Sequence, residues 1–314
     1  MPPTPTISIV LPCLNEASHI AQSVDAIARA IAGCGVEHEF VLVDDGSTDE
    51  TWRVFETLAA ASPRIQALRL SRRFGKEHAL CAGLEIARGD AVLVMDADLQ
   101  HPPTLIPDML RAWREEGCEV VEAVKEERGE ESIVARLEAG FFYGLLRRLS
   151  GVDLSGASDF KLLDRRVLEA WRSMPERNLF FRGMSAWLGF RRREIPFKVA
   201  PRAGGESGWT TGGLVRLALT GITSFSSVPI HVVTGMGVLF LFFAVLLGAQ
   251  TLYNKMQGEA SGGFTTVILL VLIVGSFLMI GLGIIGLYVS RIYDEVKARP
   301  RYVVSERLPK EPGA

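Results

Sequence analysis

The stretch VLVMDADLQHPP, residues 92–103, decides how this chain is read. Apolar residues of good strand propensity run into Asp96-Ala97-Asp98, and Pro102 and Pro103 follow close behind. On a strand, side chains two positions apart share a face, so the two carboxylates lie side by side. Like charges held that close favour a cation between them. Proline has no backbone N–H and disfavours helix in the residue before it, so the pair postpones the next helix. The stretch therefore predicts a buried strand that ends in an open acidic turn.

The same pattern recurs on the N-terminal side. ISIVLP (7–12), EFVLVDD (39–45), IQALRL (65–70), AVLVMD (91–96) and CEVVEAV (118–124) read as strands. AQSVDAIARAIAGC (21–34), TDETWRVFETLAAAS (48–62), KEHALCAGLEIARG (76–89) and LIPDMLRAWREEG (105–117) have helical spacing. Strand–helix alternation of this length predicts a mainly parallel sheet with helices on both faces, an α/β fold. In such sheets ligands bind beyond the carboxyl ends of the strands. Asn15 and Glu16 follow the first strand, Asp44 and Asp45 end the second, and Asp96 and Asp98 end the fourth. Capping of the next helix would account for Asp49, and Asp45 is open to either role. It does not account for Asp96 and Asp98, where the prolines intervene.

Composition bounds the partners. The 314 residues carry a formal net charge of −2, which gives no general attraction to nucleic acid. Cys13, Cys34, Cys81 and Cys118 show no CxxC spacing and read as reduced, mostly buried residues. The N-terminus MPPTPTISIVLP lacks the basic and apolar regions of a signal peptide. Hydrophobicity is concentrated late: Val232 to Asn254 and Ala260 to Ser290 contain no charged residue. A spanning helix needs about 20 predominantly apolar residues, and both runs meet that length. Arg191, Arg192, Arg193, Lys198, Arg202 and Arg216 precede the pair; Arg291, Lys297, Arg299, Arg301 and Arg307 follow it. The positive-inside rule then places both termini on the cytoplasmic side of a cell membrane, with a short hairpin loop outside. ARLEAGFFYGLLRRLSG (135–151) and GGLVRLALTGITSFSSVPI (212–230) are apolar with sparse basic residues, open to interfacial or core-helix readings. Gly275, Met279 and Gly283 form a spacing that allows helix association, and so a homo-oligomer.

VLPCLNE (10–16), VDDGSTDET (43–51) and MDADLQHPP (95–103) occur in the order seen in family 2 glycosyltransferases of the GT-A fold. The chain resembles that family over its first 210 residues. GASDFKLLDRRVL (156–168), FFRGMSAWLGF (180–190) and PRAGGESGW (201–209), followed by two apolar runs, narrow the likeness to the polyprenyl-phosphate glycosyltransferases. The resemblance implies a GT-A domain over 1–210, an interfacial helix over 211–230, membrane helices over 231–254 and 264–290, and a cytoplasmic tail over 291–314. It implies inverting transfer of a sugar from a nucleotide-sugar, by default UDP-glucose, to a polyprenyl phosphate with Mg²⁺ or Mn²⁺. Asp98 would be the main metal ligand, Gln100 would add an amide oxygen, and Asp96 would contact metal or donor. Pro12, Asn15, Glu16, Asp44 and Asp45 would face the nucleoside, and Arg202 and Ser207 would close over the diphosphate. Asp159 matches the position of a proposed catalytic base, with orientation of the acceptor, or capping of a following helix, as its other roles. Lys125, Arg128 and Arg136 are the basic residues for the acceptor phosphate; Lys125 stands where the family usually has Arg, and Gly208 where a basic residue is common. Arg73 and Lys76 read as nucleotide contacts or as a solvated loop.

Three rival readings are weaker. GLGIIG (281–286) matches a dinucleotide fingerprint but lies within the second apolar run. A processive polysaccharide synthase of the same fold would carry Gln-x-x-Arg-Trp, which no Gln here begins. A non-catalytic sugar-lipid binding protein would have no need of Asp96, Asp98 and Asp159 together.

Overall fold

A computed structural model describes residues 4–125, 158–174, 176, 181–197, 228–257 and 263–309. The chain divides into two compact units: residues 1–147, 152–209 and 300–314 form the first, and residues 148–151 and 210–299 the second.

In the first unit, strands and helices alternate as the apolar runs predict. They are β1 (Thr6–Cys13), α1 (Ile20–Ile31), β2 (Glu37–Asp44), α2 (Thr51–Ala61), β3 (Ile65–Leu70), α3 (Lys76–Ile86) and β4 (Ala91–Val94). A 3₁₀ turn, Pro103–Leu105, leads into α4 (Ile106–Arg114), with proline at the first helical position where its missing N–H costs nothing. There follow β5 (Val120–Lys125), β6 (Lys161–Asp164), α5 (Arg165–Arg172), α6 (Phe181–Trp187) and β7 (Arg192–Phe197). The described strands make one sheet in the order β7-β5-β6-β4-β1-β2-β3-β8, where β8 is Val304–Leu308. β1 lies parallel to β2 and β4, β2 to β3, and β5 to β7. All four residues of β4 are buried, as expected for a strand covered on both faces. Ile20, Val24, Ile27 and Ile31, on one stripe of α1, join Ile7, Ile9 and Leu11 of β1 in the core. On the opposite face α3 packs so closely that a Cβ on Gly83 would lie 2.4 Å from Val10 Cγ1.

The antiparallel strand β6 sets the chemistry. It pairs with β4 so that Val94 lies opposite Lys161. Continuing that register by two residues brings Asp159 abreast of Asp96. Residues 83 apart from Lys76 in the chain thus reach the end of the same central strand.

The segment 291–314, read from sequence as a tail, has structure in its described part. Its first residues extend α8 (Phe264–Lys297), and β8 then pairs antiparallel with β3. Glu306 of β8 accepts from Trp52 Nε1 at 3.2 Å and Arg69 Nη1 at 2.9 Å. Pairing covers the otherwise open edge of β3.

The second unit contains α7 (Val228–Met256) and α8. Both are long and apolar enough to cross a membrane. Phe242 is 61% exposed and Leu272 63%, so these helices do not form the buried core of a soluble domain. Within the unit, Phe240 and Phe277 stack at 4.6 Å between ring centroids.

Candidate active site

The loops after β1 and β2 are tied together before they meet any ligand. The backbone N–H of Asn15 donates to Ser47 Oγ, and Asn15 Oδ1 accepts from Thr48 N, each at 2.9 Å. Asn15 has φ 57°, a left-handed conformation that asparagine tolerates better than most residues. Glu16 N donates to Thr51 Oγ1 at 2.9 Å. Gly46 turns the β2 loop at φ +73°, where a Cβ would fall 2.5 Å from the Arg72 carbonyl carbon.

The two acids after β2 have separate roles. Asp44 is fully buried; Oδ1 accepts from Ser47 N at 2.8 Å and Oδ2 lies 3.4 Å from Arg69 Nε. Asp44, rather than Asp45, thus holds the Ser47 turn. Asp45 accepts from the backbone N–H groups of Phe74 at 2.7 Å and Gly75 at 2.9 Å, so it anchors the entry to α3. Burial pushes the Asp45 carboxyl up, and those two N–H groups partly offset it.

Pro12, Glu16, Asp45, Arg73, Lys76, Asp96 and Asp98 line a cavity of about 220 Å³ at the carboxyl ends of β1, β2 and β4. Its charge is unbalanced. The Glu16 carboxyl is raised by burial first and then by the negative charges of Asp98 and Asp96. A cavity lined by four carboxylates, Glu16, Asp45, Asp96 and Asp98, against two cations, Arg73 and Lys76, suits a divalent cation. Among the described residues no three His, Cys, Asp or Glu side chains converge as a ready-made metal site. Asp96 and Asp98, just beyond β4, are the paired carboxylates in the cavity that could hold a divalent cation, and Asp96 Oδ1 here lies 2.5 Å from Lys76 Nζ. Gln100 donates its backbone N–H to Asp98 Oδ1 at 3.1 Å, which fixes the open turn after β4.

Asp159 is the centre of an ion cluster. Arg182 grips it with two bonds, Nε to Oδ1 at 2.7 Å and Nη2 to Oδ2 at 2.8 Å. Lys76 Nζ lies 2.5 Å from Asp159 Oδ2 and 2.5 Å from Asp96 Oδ1. Burial alone would raise the Asp159 carboxyl, but the Arg182 bonds and the Lys76 charge hold it well below the usual carboxylate range. Lys76 would be lowered by burial, yet Asp96 and Asp159 outweigh that and raise it. Beside them Glu77 accepts from Phe181 N at 2.8 Å, at the start of α6, and burial pushes its carboxyl up to about 7. Beneath the cluster, buried Lys161 lies 3.1 Å from Glu122 Oε1 and donates to Ser185 Oγ at 2.6 Å, joining β6 to β5 and α6.

The helix-capping alternative for Asp159 does not hold. Residues 161–164 form a strand, and the cap of α5 is Asp164, which accepts from Arg166 N at 2.9 Å. Ser158, next to Asp159, donates to Ala123 O. Lys125 ends β5 with its side chain outside the described residues, and Arg128, Arg136, Arg202 and Ser207 lie outside them altogether, as do both apolar segments at 135–151 and 212–227. Arg182 and Glu77 escaped the sequence reading. Arg182 stands in FFRGMSAWLGF, but nothing local to that motif says that its guanidinium meets Asp159.

Comparison with known proteins gives the family. The profile described as glycosyl transferase family 2 matches residues 8–172. An uncharacterized glycosyltransferase of Synechocystis sp. is 36% identical over 302 residues, 96% of this chain and 95% of that protein. A prophage bactoprenol glucosyl transferase homolog of Escherichia coli is 35% identical over 95% of this chain and 98% of its own. The bactoprenol glucosyl transferase of Shigella phage SfV is 35% identical over 97% and 99% respectively. Among solved structures, glucosyl-3-phosphoglycerate synthase from Mycobacterium tuberculosis, in complex with Mn²⁺, UDP-glucose and phosphoglyceric acid, is similar with a TM-score of 0.46. It is 22% identical and the match covers 70% of this chain and 78% of that one.

Proposed function

The chain belongs to glycosyltransferase family 2, and from that premise we propose that it transfers glucose from UDP-glucose to a polyprenyl phosphate at a membrane surface. The observation that carries the reading is full-length likeness to proteins named for bactoprenol glucosyl transfer, joined to an acidic cavity at the sheet edge. The two apolar helices suit an enzyme whose acceptor stays in a bilayer. Arginine and lysine on both flanks of that pair support a cytoplasmic position for residues 1–210 and for the C-terminus.

In the proposed reaction an acceptor phosphate oxygen forms a bond to the anomeric carbon. The bond from that carbon to the donor diphosphate breaks, and its electron pair leaves on the diphosphate oxygen. One displacement inverts the anomeric centre. Mg²⁺ or Mn²⁺ held by Asp96 and Asp98, with Gln100 beside them, would neutralise the charge gathered by the leaving group. Pro12, Asn15, Glu16, Asp44 and Asp45 would form the nucleoside end, and Arg202 and Ser207 would cover the diphosphate. Lys125, Arg128 and Arg136 would draw the acceptor phosphate in. A phosphate monoester is already anionic near neutral pH, so attack needs positioning more than deprotonation. Asp159, held deprotonated by Arg182 and Lys76, is suited to orient those cations and poorly suited to accept a proton.

The test is a panel of radiolabelled nucleotide sugars offered to purified full-length protein with undecaprenyl phosphate and Mn²⁺ or Mg²⁺. Label should enter the lipid fraction as a monosaccharide and UDP-glucose should be preferred. Label in long polymer would favour a processive synthase, and transfer from another donor alone would replace the sugar assignment.

A further inference from the structure

We propose that Lys76 and Arg182 form the subsite for the acceptor phosphate, with Asp159 behind them as the carboxylate that sets their positions. This deepens the reading of a lipid-phosphate acceptor and rests on it. Neither cation is needed to explain the sheet or its core. Both converge on one carboxylate from distant elements, Lys76 from the first residue of α3 and Arg182 from α6.

Exposure shows which way the cluster faces. The Asp159 side chain is 5% exposed, whereas Arg182 is 30% and Lys76 40% exposed. An anion arriving from solvent therefore meets the two cations before it meets the carboxylate. A guanidinium has five N–H donors in a planar fork, more than one carboxylate takes up, and the fork matches phosphate oxygens. Lys76 lines the same cavity as Asp96 and Asp98, and it touches both Asp96 and Asp159. It stands at the boundary between the diphosphate end and the Asp159 end, where an attacking phosphate has to lie.

The charges also give an order of binding. Lys76 and Arg182 together balance Asp96 and Asp159. A metal-bound donor at Asp96 and Asp98 takes over the charge of Asp96 and releases Lys76 from it. Two cations then face one buried carboxylate, and the cluster is one negative charge short. A phosphate monoester supplies it. Donor and acceptor phosphate accordingly favour each other's binding, and by linkage the effect is reciprocal.

The experiment titrates farnesyl phosphate into full-length protein in detergent, once with saturating Mn²⁺ and UDP and once in EDTA without nucleotide. Wild type should bind farnesyl phosphate about tenfold more tightly in the first condition, within the usual range of coupling between sites. Lys76→Gln should lose that gain and, with Asp96 no longer paired, should bind Mn²⁺·UDP at least as tightly as wild type. Arg182→Lys, which cannot make the paired contact, should weaken farnesyl phosphate about tenfold in both conditions. If Arg182→Lys does not fold, Lys76→Gln decides alone, since it leaves the Arg182–Asp159 pair in place. Folded variants with unchanged farnesyl phosphate affinity would overturn the proposal, as would a loss that falls on UDP instead, because the cations would then serve the donor. Wild type that binds Mn²⁺·UDP but neither binds farnesyl phosphate nor labels undecaprenyl phosphate would remove the acceptor reading itself, and this proposal with it.

Discussion

Glu77→Gln should stabilise the first unit above neutral pH and leave it almost unchanged in acid. Glu77 sits in the first turn of α3, accepts from Phe181 N, and is raised from 4.5 to about 7, chiefly by burial. Below pH 4.5 the carboxyl is protonated whether the chain is folded or not, and ionisation contributes nothing. Between 4.5 and about 7 the unfolded chain has released the proton while the folded chain keeps it, so stability falls as pH rises. Above about 7 the full cost is present. At about 1.4 kcal/mol for each tenfold change in proton affinity, it comes to about 3 kcal/mol. Glutamine keeps an oxygen for the Phe181 N–H and carries no charge to bury. The five tryptophans, Trp52, Trp113, Trp171, Trp187 and Trp209, all lie in the first unit, so their fluorescence follows its unfolding alone. Melting of full-length protein in detergent at pH 5 and pH 8.5 makes the comparison. A gain of about 3 kcal/mol corresponds to roughly 6–12 °C for a unit of this size, expected at pH 8.5 only. A variant equal to wild type or less stable at both values would refute the reasoning, since ionised Glu77 would then be a favourable partner of Arg182 and Lys76.

Asp98→Ala should abolish the Mn²⁺-dependent part of UDP binding, measured by calorimetry with and without EDTA; unchanged affinity in metal would remove Asp98 from the ligand set. Asp159→Asn should slow transfer while sparing UDP binding, and the pH–rate profile should keep its shape near neutrality. Loss of a limb from that profile would restore Asp159 as a base. The same substitution leaves Arg182 and Lys76 facing a neutral amide and should cost about 1–3 kcal/mol of stability at pH 7, less than the loss of a fully buried pair because both cations are partly exposed. Because the Asp159 carboxyl is depressed on folding, its contribution in wild type is present above about 4 and fades as pH falls below that.

The acidic turn after β4 was legible in part: the apolar strand and the prolines that delay the helix are local signals, but β4 ends at Val94, so Asp96 and Asp98 stand in the turn and not on one strand face as a period of two had it. The two long apolar helices were legible for a similar reason, since length and composition alone set them apart. The Asp159 cluster was legible only in part. Its members stand at 76–77, 96, 159 and 181–182, and what joins them is the antiparallel placement of β6 beside β4, which no periodicity encodes. Asp45 illustrates the same limit: it binds the Phe74 and Gly75 amides, about 30 residues away, and nothing local to VDDGSTDET points to them. VSERL (304–308) is short and follows a long apolar helix, and its strand exists because β3 offers an edge and Arg69 and Trp52 offer partners to Glu306.

One measurement tests sugar transfer to a lipid phosphate directly. Purified full-length protein is incubated with UDP-[¹⁴C]glucose, undecaprenyl phosphate and Mn²⁺, and the organic phase is resolved by chromatography. A single labelled lipid is expected, one that releases glucose on mild acid treatment and is absent when EDTA replaces the metal. An organic phase without label, from protein that binds Mn²⁺·UDP, would contradict it.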